Sequence, residues 1–391
     1  MMQNAKGNYG YFGKEQALRR YIQATLREKF ELYDFDEVAL RPGLIMPLKR
    51  FELGKVLRGG LEMHDRQREF LQWNVNVVGI EGPEAEIELM QLALDVFRAL
   101  AIKVRLKWNN RQFLTELLEA AAVPISDAYA VMLALDKLAR AGANAVKAEL
   151  QMYGLQDTAV SAVMVLIANE ESGLEQLIET YSLEGSAGAK EVLAVRNMLH
   201  AIGLDKEYVF DPFLSYGPSD YIGTVYEVEV FDASDDGYTL SLGGGGRYVD
   251  DFTWRSISGD EAAYSAARMS FELEAIMALL ENRVVEQAYA TVVLIQLDVT
   301  AAVLLQAAAE LRYNGVRVKL DKSGQQLEDS LASLPGNGIR YALLLNERNW
   351  LAGCVRLLDL EERTEREVSV DEAIYIIGDC YSSRYEQLSS C

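Results

Sequence analysis

The sequence predicts an α+β protein with a second, smaller α/β domain at its carboxyl-terminal end. Two strand-rich regions with aromatic and β-branched residues lie on either side of a long alanine- and leucine-rich stretch that reads as helical. After the second strand-rich region, strands and helices alternate, which is typical of an α/β domain. With 391 residues, half of them hydrophobic, the chain is long enough for two or three domains with their own cores.

The chain begins with a predicted helix and a short strand. Between Gln16 and Tyr33 apolar residues recur at four-residue spacing and form one stripe of an amphipathic helix. These residues are Leu18, Ile22, Leu26 and Phe30. The segment Asp36–Leu40 follows as a strand, and Pro42, Gly43 and Pro47 then mark a break.

Two further strands and a helix complete the first region. Phe51–Arg58 is a predicted strand, and a charged loop runs from Gly59 to Arg68. Phe70–Val78 alternates between apolar and polar residues and is predicted to return beside the first strand. Pro83 then opens a helix that runs to about Leu100, with acidic residues in its first turn as the helix dipole favours.

The middle of the chain is predicted to be a helical insertion, covering 104–207 and showing little strand character. Strand-like runs return between Tyr208 and Arg247, with a hairpin turn at Ser234–Gly237. Glu261–Glu281 is predicted to be a helix. In the last domain, strands are predicted at Ala290–Leu297, Val316–Leu320 and Tyr341–Leu345, and a helix at Thr300–Asn314. The charge-dense Glu361–Glu367 is predicted to be a solvated hairpin or loop.

Composition excludes several classes of function. The formal net charge of −21 argues against a nucleic-acid partner, although a local basic patch would change that expectation, and it is equally explained by solubility. Three cysteines and two histidines cannot make a disulfide framework or a zinc site of standard spacing. No apolar run reaches the length of a membrane span, and the first residues lack the apolar core of a signal peptide. We therefore expect a cytoplasmic protein.

Two segments carry a family resemblance. Residues Leu214–Glu227 read LSYGPSDYIGTVYE, and Gly243–Tyr248 reads GGGGRY. They resemble the histidine-binding segments of histidyl-tRNA synthetases, close to LVRGLDYYTGTVFE and GGRYD. The order of the surrounding pieces is also similar, and Leu135–Leu138 matches a recurrent LDKL of the family's insertion. A run of four glycines could also be a phosphate loop, but no Walker lysine follows it, which favours a close-packed strand floor.

The resemblance implies a class II aminoacyl-tRNA synthetase-like antiparallel sheet with helices. The synthetase-like core would comprise residues 1–103 and 208–284, the helical insertion 104–207, and an anticodon-binding-like α/β domain 288–391. It also implies a homodimer, because the first motif of class II cores normally forms a dimer interface.

Residue by residue, the resemblance gives an amino-acid pocket. Its members are Gln72, Asn76, Tyr216, Tyr221, Gly244 and Arg247. Two of them depart from the family pattern, because Tyr216 stands in the place of an arginine and Asn76 in the place of a glutamate. The aromatic residues Tyr221 and Tyr226 could equally be core side chains, and the polar side chains that alternate on one face from Gln72 to Asn76 could be a solvated face.

The resemblance also gives the remnant of a nucleotide pocket. Its members are Arg41, Arg58, Arg66 and Arg68. Of these, Arg58 matches the arginine that would contact the α-phosphate, with a plain surface arginine as the equal alternative. Gly60 stands where the resemblance would place a glutamate that orients the adenine, and Gly43 stands where it would place the glutamate that holds the amino group of the substrate. His64, in the same loop, is expected to be exposed.

The motif that would follow the pocket is also altered. Glu272–Ile276 matches GLERL, so that Ala275 replaces the arginine expected on the terminal phosphate. Preorganised cations stabilise the negative charge that develops during adenylate formation, and each is typically worth about 3 kcal/mol of barrier. Without the cations expected at Tyr216 and Ala275, the chain would be a very slow enzyme at best, and no catalytic residue is assigned.

Three functions remain open at this point. The first is a catalytically degenerate histidyl-tRNA synthetase paralogue that serves as a regulatory subunit of ATP phosphoribosyltransferase in histidine biosynthesis, with the short catalytic subunit as its partner. The second is a divergent histidine–tRNA ligase, which alone would imply ATP and Mg²⁺ as cofactors. The third is a module that binds another ligand or protein on the same scaffold. No metal site is expected.

Overall fold

The computed structural model describes most of the chain. The described residues are 13–37, 46–57, 69–169, 173–204, 206–216, 221–231, 240–250, 263–281, 291–321 and 339–378. The chain divides into two compact units, the first mainly Arg19–Asn282 and the second mainly Arg283–Cys391. Each unit is built around its own sheet.

The first unit contains an eight-stranded sheet. Its strands are β1 (Asp36–Glu37), β2 (Leu48–Leu57), β3 (Glu69–Val78), β4 (Val104–Asn110), β5 (Tyr208–Phe210), β6 (Tyr221–Val230), β7 (Ser241–Asp250) and β8 (Tyr264–Glu272). The strand order is β1-β2-β3-β8-β7-β6-β4-β5. Neighbours run antiparallel except at the edges, where β1 pairs with β2 and β4 with β5 in parallel. The sheet is therefore mixed, with an antiparallel centre.

Two helices cover one face of this sheet, α1 (Gly13–Leu32) and α2 (Glu84–Ala99). From α1, Phe30 packs against Phe51, Trp73 and Phe271, with ring centroids 5.2 to 5.7 Å apart. From α2, Phe97 reaches the same Phe271 at 5.9 Å. All five rings are buried, and aromatic side chains of this size dominate the energetics of a core. This packing leaves the other face of the sheet to polar side chains.

The helical region joins β4 to β5. Its helices are α3 (Arg111–Ala120), α4 (Ile125–Leu135), α5 (Leu138–Met152), α6 (Asp157–Ala168), α7 (Leu174–Thr180) and α8 (Ala187–Ala201). Helices α3 and α8 pack closely: a Cβ on Gly188 would lie 2.5 Å from the Cα of Phe113. The Glu116 carboxylate accepts a hydrogen bond from the Gly188 N–H at 3.0 Å, which ties the start of α8 to α3.

Two predictions about this unit are wrong. Val104–Asn110, assigned to the insertion, is strand β4 and pairs along its whole length with β6. Tyr264–Glu272, predicted as helix, is strand β8 between β3 and β7, and only Leu273–Leu279 (α9) is helical. Both segments contain residues that also occur in helices. They form strands because they pair with neighbouring strands of the sheet, and pairing and burial override a weak local helix propensity.

The second unit has a five-stranded sheet in the order β10-β9-β11-β12-β13. Its strands are β9 (Thr291–Asp298), β10 (Arg317–Asp321), β11 (Tyr341–Asn346), β12 (Cys354–Asp359) and β13 (Thr364–Ser369). Its helices are α10 (Ala301–Tyr313), α11 (Glu347–Leu351) and α12 (370–378). The first three strands in the order are parallel and the last two are antiparallel additions, so the predicted α/β alternation is confirmed.

Several local predictions are also confirmed. The structure contains the helix predicted between Gln16 and Tyr33 and the helix predicted after Pro83. It also contains the pair of strands predicted on either side of the Gly59–Arg68 loop. The charge-dense segment near Glu361 is the exposed turn and first part of β13 in a hairpin. The hairpin turn predicted at Ser234–Gly237 lies outside the described residues. Within the described part, no single helix is long and apolar enough to cross a membrane; α3 and α4, bent by 117°, pass that test only as a pair.

Candidate functional site

The polar face of the eight-stranded sheet holds the candidate site. Side chains directly opposite each other in an antiparallel pair lie on the same face, and alternate residues of a strand share that face. The register therefore places Gln72, Asn74 and Asn76 of β3 beside Glu272, Ser270 and Arg268 of β8. The next strand contributes Gly244 and Gly246, opposite Ser270 and Arg268. We call this surface the open face.

Glycines form the floor of the open face. Gly243–Gly246 lies within strand β7 and not in a loop, which confirms the close-packed floor and removes the phosphate-loop alternative. A Cβ on Gly246 would lie 2.5 Å from the Thr224 carbonyl oxygen, and one on Gly245 would collide with the carbonyl oxygen of Arg268. Only glycine fits where strands and side chains approach this closely.

Tyr216 lies over this floor. A Cβ on Gly244 would be 2.6 Å from the Cζ of Tyr216, so the ring occupies the space directly above that glycine. Burial raises the pKa of Tyr216 well above its usual range, although a hydrogen bond with Ser270 opposes this, and the phenol is neutral. The backbone φ of Tyr216 is 43°, in the left-handed region that a bulky residue rarely adopts. The surrounding structure must therefore hold the residue in place.

Two neighbours hold the segment that ends at Tyr216. The side-chain amide of Asn109 on β4 donates to the carbonyl oxygens of Pro212 and Leu214, at 2.9 and 3.0 Å. The hydroxyl of Ser215 lies 3.2 Å from the Met132 carbonyl oxygen and 3.2 Å from the Asp136 carboxylate. The signature segment is therefore anchored both to the sheet and to the helical region, through the Asp136 of the LDKL match.

Tyr221 and Tyr226 have different surroundings. The Tyr221 ring is half-buried and lies 6.0 Å from the Tyr216 ring, so these two aromatic side chains meet at the site. Tyr226 is fully buried, and its hydroxyl donates to the Arg268 carbonyl oxygen at 2.7 Å. Burial raises the pKa of Tyr226 well above its usual range. Tyr226 is therefore a core side chain, which is one of the two alternatives that the sequence left open.

On β3, the predicted pocket residues interact with each other and with β8. The amide of Gln72 donates to the Asn74 oxygen at 2.9 Å. Asn76 is 2 % exposed, and its oxygen accepts from the Tyr248 hydroxyl at 2.9 Å and from the Arg268 Nε at 3.1 Å. Arg268 also lies over the Tyr248 ring, 4.5 Å from its centroid. Asn76 thus holds a cation on the open face.

Arg247 does not join the other predicted pocket residues. It follows Gly246 on β7 and therefore points to the opposite face, where its Nε donates to the Glu86 carboxylate at 2.6 Å. Its other nitrogens donate to the Ile80 and Gly82 carbonyl oxygens at 2.9 and 2.5 Å, to the Ser265 hydroxyl and to Glu86 again. This guanidinium connects the sheet to the beginning of α2.

The predicted nucleotide remnant cannot be located, because Arg41, Arg58, Arg66 and Arg68 all lie outside the described residues, as does His64. Ala275 lies in the first turn of α9. The neighbouring Glu274 carboxylate accepts from the Leu71 N–H at 2.9 Å and so fixes the start of this helix beside β3. The position of Ala275 therefore offers a methyl group where the motif would offer a cation.

Three residues of the site were not predicted from the sequence: Asn109, Arg268 and Ser270. A usable signal existed for Arg268 and Ser270, which alternate with Ala267, Met269 and Phe271. Reading that stretch as a strand would have placed the arginine and the serine on one face and the apolar residues on the other. Asn109 gave no signal, because its partners are carbonyl oxygens about a hundred residues away in the chain.

The open face offers hydrogen bonds and aromatic contacts to a small polar molecule. Amides come from Gln72 and Asn74, an aromatic ring from Tyr221 and positive charge from Arg268, while the buried Ser270 hydroxyl donates to the Gly244 carbonyl oxygen at 2.6 Å. Among the described residues, no group of three or more His, Cys, Asp or Glu side chains could hold a metal ion. The described part of this face thus combines neutral polar side chains with charges of both signs, among them Arg268 and Glu272.

Family models match both units. The model described as histidyl-tRNA synthetase matches residues 46–276, and the model of an anticodon binding domain matches 291–379. A relative from Bacillus cereus, histidine–tRNA ligase 1, is 31 % identical over 380 residues, which cover 93 % of this chain and 86 % of the relative. Histidine–tRNA ligase of Bacteroides fragilis is 26 % identical over 344 residues, covering 85 % and 74 %.

Solved structures share the fold. Histidyl-tRNA synthetase from Nostoc sp. superposes with a TM-score of 0.73 at 19 % identity and covers 97 % of this chain and 99 % of its own. A Bacillus halodurans protein described as an ATP phosphoribosyltransferase regulatory subunit/histidyl-tRNA synthetase has a TM-score of 0.62 at 16 % identity, covering 85 % and 96 %. These two structures establish the likeness of the fold, with the class II synthetase-like sheet and the additional domain.

Proposed function

Because the chain belongs to the histidyl-tRNA synthetase family, we propose that it is a member that does not activate an amino acid and has a regulatory role instead. Its specific role would be that of a regulatory subunit of ATP phosphoribosyltransferase, acting in the cytoplasm in histidine biosynthesis. It would be a homodimer that binds the short catalytic subunit. Binding of tRNA is not part of this proposal.

The observation that carries the proposal is the position of Tyr216. Its ring lies on Gly244, on the floor of the open face, where the family signature has an arginine. A neutral phenol cannot balance the charge of a substrate carboxylate or of the phosphates. The ring also occupies volume above the floor that a bound amino acid would need.

A second loss acts in the same direction. Ala275 replaces the arginine of the motif that begins α9, and alanine supplies no charge. Two missing cations, each worth about 3 kcal/mol of transition-state stabilisation, would together slow adenylate formation by about four orders of magnitude. Arg268 does not restore either position, because it lies opposite Gly246, on the Asn76 side of the floor. The balance of charges supports recognition over catalysis.

The regulatory assignment draws support from one solved relative. The Bacillus halodurans protein carries both descriptions, regulatory subunit and synthetase, which indicates that the fold serves both roles. At 16 % identity this likeness supports the scaffold, and the altered pocket of the present chain supports the choice between the two roles.

A divergent histidine–tRNA ligase is the second candidate. Two observations favour it: the curated relatives covering most of the chain are named histidine–tRNA ligases, and residues 291–379 match the anticodon binding domain. In that case ATP and Mg²⁺ would be the cofactors. The acidic composition of the chain, with 59 acidic and 38 basic residues, counts against a tRNA partner.

One pair of experiments separates the candidates. In the first, histidine-dependent exchange of pyrophosphate into ATP is measured with the purified chain and with an active histidine–tRNA ligase in parallel. We expect exchange only from the active ligase. In the second, the chain is co-expressed with a short ATP phosphoribosyltransferase catalytic subunit and isolated by a tag on that subunit. Robust exchange, or absence of co-purification together with tRNA charging, would overturn the proposal.

A further inference from the structure

Arg268 is the centre of a group of polar side chains at one end of the open face. Its neighbour across β3 is Asn76, and Asn76 in turn lies directly opposite Arg50 of β2. Tyr248 and Asp250 of β7 complete the group, with the Tyr248 hydroxyl donating to Asn76 at 2.9 Å. We call these five residues the arginine cluster. Two guanidinium groups therefore originate about 10 Å apart on alternate strands of one face.

The charges in the arginine cluster do not balance. The Asp250 carboxylate lies 3.7 Å from Arg50, and it is the one carboxylate in the cluster. Arg268 donates its Nε to a neutral amide and stacks on a neutral ring. It also shares a hydrogen bond with the Tyr248 side chain, and among the described residues it forms no ion pair. The cluster thus carries one net positive charge in a partly desolvated place.

Burial makes this excess charge costly. Arg268 is half-buried, and only 13 % of the Arg50 side chain is exposed, while the buried Nε of Arg50 has no hydrogen-bond partner. Burial lowers the pKa of Arg268, but Tyr248, Tyr221 and the more distant Glu52 outweigh it and raise the pKa, so the group is charged. A desolvated cation without a carboxylate partner is unfavourable unless a ligand supplies the anion.

The geometry around Arg268 suits an oxyanion. A guanidinium presents its donors as a planar fork that matches carboxylate or phosphate oxygens. Here the Nε donates to Asn76 and the group lies over the Tyr248 ring, so among the described residues the fork contacts neutral partners and no carboxylate. The opposite residue is Gly246, which has no side chain of its own, and the Tyr221 ring lies next to it: a Cβ on Gly246 would be 3.1 Å from the Tyr221 Cδ1.

We propose that the arginine cluster binds the carboxylate or phosphate group of a small molecule at its end of the open face, with Arg268 as the residue that contacts it. The site is separate from the place where Tyr216 covers Gly244. It does not depend on the regulatory partner or on the absence of amino-acid activation proposed above.

The test compares the full-length protein with Arg268→Gln. The melting temperature of each is followed during titration with acetate, with pyrophosphate and with L-histidinol, at constant ionic strength. A ligand that binds the native state raises the melting temperature. We expect at least one of the two anions to raise the melting temperature of the unaltered protein. The R268Q substitution should weaken the apparent affinity for that anion at least tenfold. L-histidinol, which is cationic and has no carboxylate, should give no shift that depends on Arg268.

The matched control is Arg98→Gln. Arg98 is an exposed arginine at the end of α2 that pairs with Asp95 and Glu207, so its loss should leave the titrations unchanged. If R268Q does not fold, Arg268→Lys and Arg50→Gln replace it: the first keeps the charge but not the fork, and the second removes the other cation. Each should weaken the same titration several-fold.

The anion that responds identifies the class of ligand. A response to acetate alone supports a carboxylate, and one to pyrophosphate alone supports a phosphate. If neither anion stabilises the unaltered protein, or if the stabilisation persists in R268Q, the proposal is overturned. These titrations are independent of the pyrophosphate-exchange and co-purification experiments. Failure of the anion-site proposal can therefore be distinguished from failure of the proposed function.

Discussion

The ring of Tyr216 lies directly on the backbone of Gly244. A Cβ added to Gly244 would be 2.6 Å from the Cζ of that ring and closer still to the Tyr226 carbonyl oxygen. A larger residue at position 244 would collide with the Tyr216 ring, so this position of the tyrosine requires a glycine. The ring also fills the space above Gly244 on the open face. The contact joins the signature segment to strand β7.

Substitution of Gly244 by alanine should destabilise the protein by about 1–3 kcal/mol, because the added methyl group overpacks the site. Urea denaturation of the two proteins measures this difference. Gly54→Ala is the control, since Gly54 lies in β2 with no atom within 4 Å of an added Cβ, and it should be neutral or slightly stabilising.

Because Gly244→Ala also approaches the Tyr226 carbonyl oxygen, the contact with Tyr216 needs a double-mutant cycle. Tyr216→Ala should relieve part of the strain of G244A, so the two effects should fall short of additivity by about 1 kcal/mol. Strict additivity would show that the ring does not rest on Gly244 in solution.

Asn109→Asp should cost about 2 kcal/mol or more. This change keeps the shape of the side chain but removes the two N–H donors that satisfy the Pro212 and Leu214 carbonyl oxygens, and it buries a charge at a position that is 0 % exposed. Amide hydrogen exchange of the peptide covering 211–216 should accelerate as well.

Asn74→Asp is the matched control for that substitution. Asn74 lies on the open face, and its oxygen accepts a hydrogen bond from the Gln72 amide at 2.9 Å, which an aspartate can also accept. Equal destabilisation by the two variants would mean that the anchoring of the signature segment has no special role.

The alternation of residues explains which parts of the site could be predicted. Gln72, Asn74 and Asn76 differ by even numbers, and the structure places all three on one face, as their spacing indicates. The same rule argues against Arg247 as a pocket residue, because it is an odd number of positions from Gly244. A resemblance matches single residues and does not say which face of a strand they occupy. The alternation of side chains along β7 gives the face, and it separates Arg247 from Gly244.

Other parts of the fold could not be predicted from local sequence. Strand β8 contains alanine, methionine and glutamate, which favour helices when considered alone, yet it lies at the centre of the sheet. Its conformation is decided by hydrogen bonds to β3 and β7, which come from distant parts of the chain. The position of Arg268 depends on that strand assignment, so predicting a helix there also hid the arginine cluster, although the alternation of Arg268 and Ser270 with apolar residues is compatible with a strand.

The buried pair formed by Arg247 and Glu86 should be the most sensitive ion pair of the first unit. Arg247→Met leaves Glu86, which is 1 % exposed, without its partner and should destabilise the protein by about 3–5 kcal/mol. Adding Glu86→Leu should recover much of that loss, because two apolar side chains can replace a buried ion pair at small cost. Urea denaturation of the single and double variants measures both effects.

Arg98→Met provides the comparison for the Arg247 variants. Its ion pairs with Asp95 and Glu207 are exposed, so its loss should change the stability by less than about 1 kcal/mol. If the Arg247 and Arg98 variants were equally stable, the guanidinium of Arg247 would not be held between the sheet and α2.

The stability contributed by Asp359 should depend on pH. Burial raises the pKa of this carboxyl, but hydrogen bonds from Arg340, at 2.8 and 2.9 Å, and from the Glu362 and Glu361 N–H groups outweigh it, so the pKa lies below its usual value. A depressed pKa stabilises the folded state at pH values above the pKa of the unfolded chain. That contribution is lost as the pH falls through the folded-state pKa.

Asp359→Asn should therefore destabilise the second unit by about 1–2 kcal/mol at pH 7, and the difference from the unaltered protein should shrink below about pH 4. Urea denaturation of both proteins at pH 7 and pH 3.5 gives the two differences. Glu365→Gln is the control, because Glu365 is 45 % exposed in its pair with Arg356 and should have little effect at either pH. A D359N effect that is the same at both pH values would contradict the role assigned to the charge of Asp359.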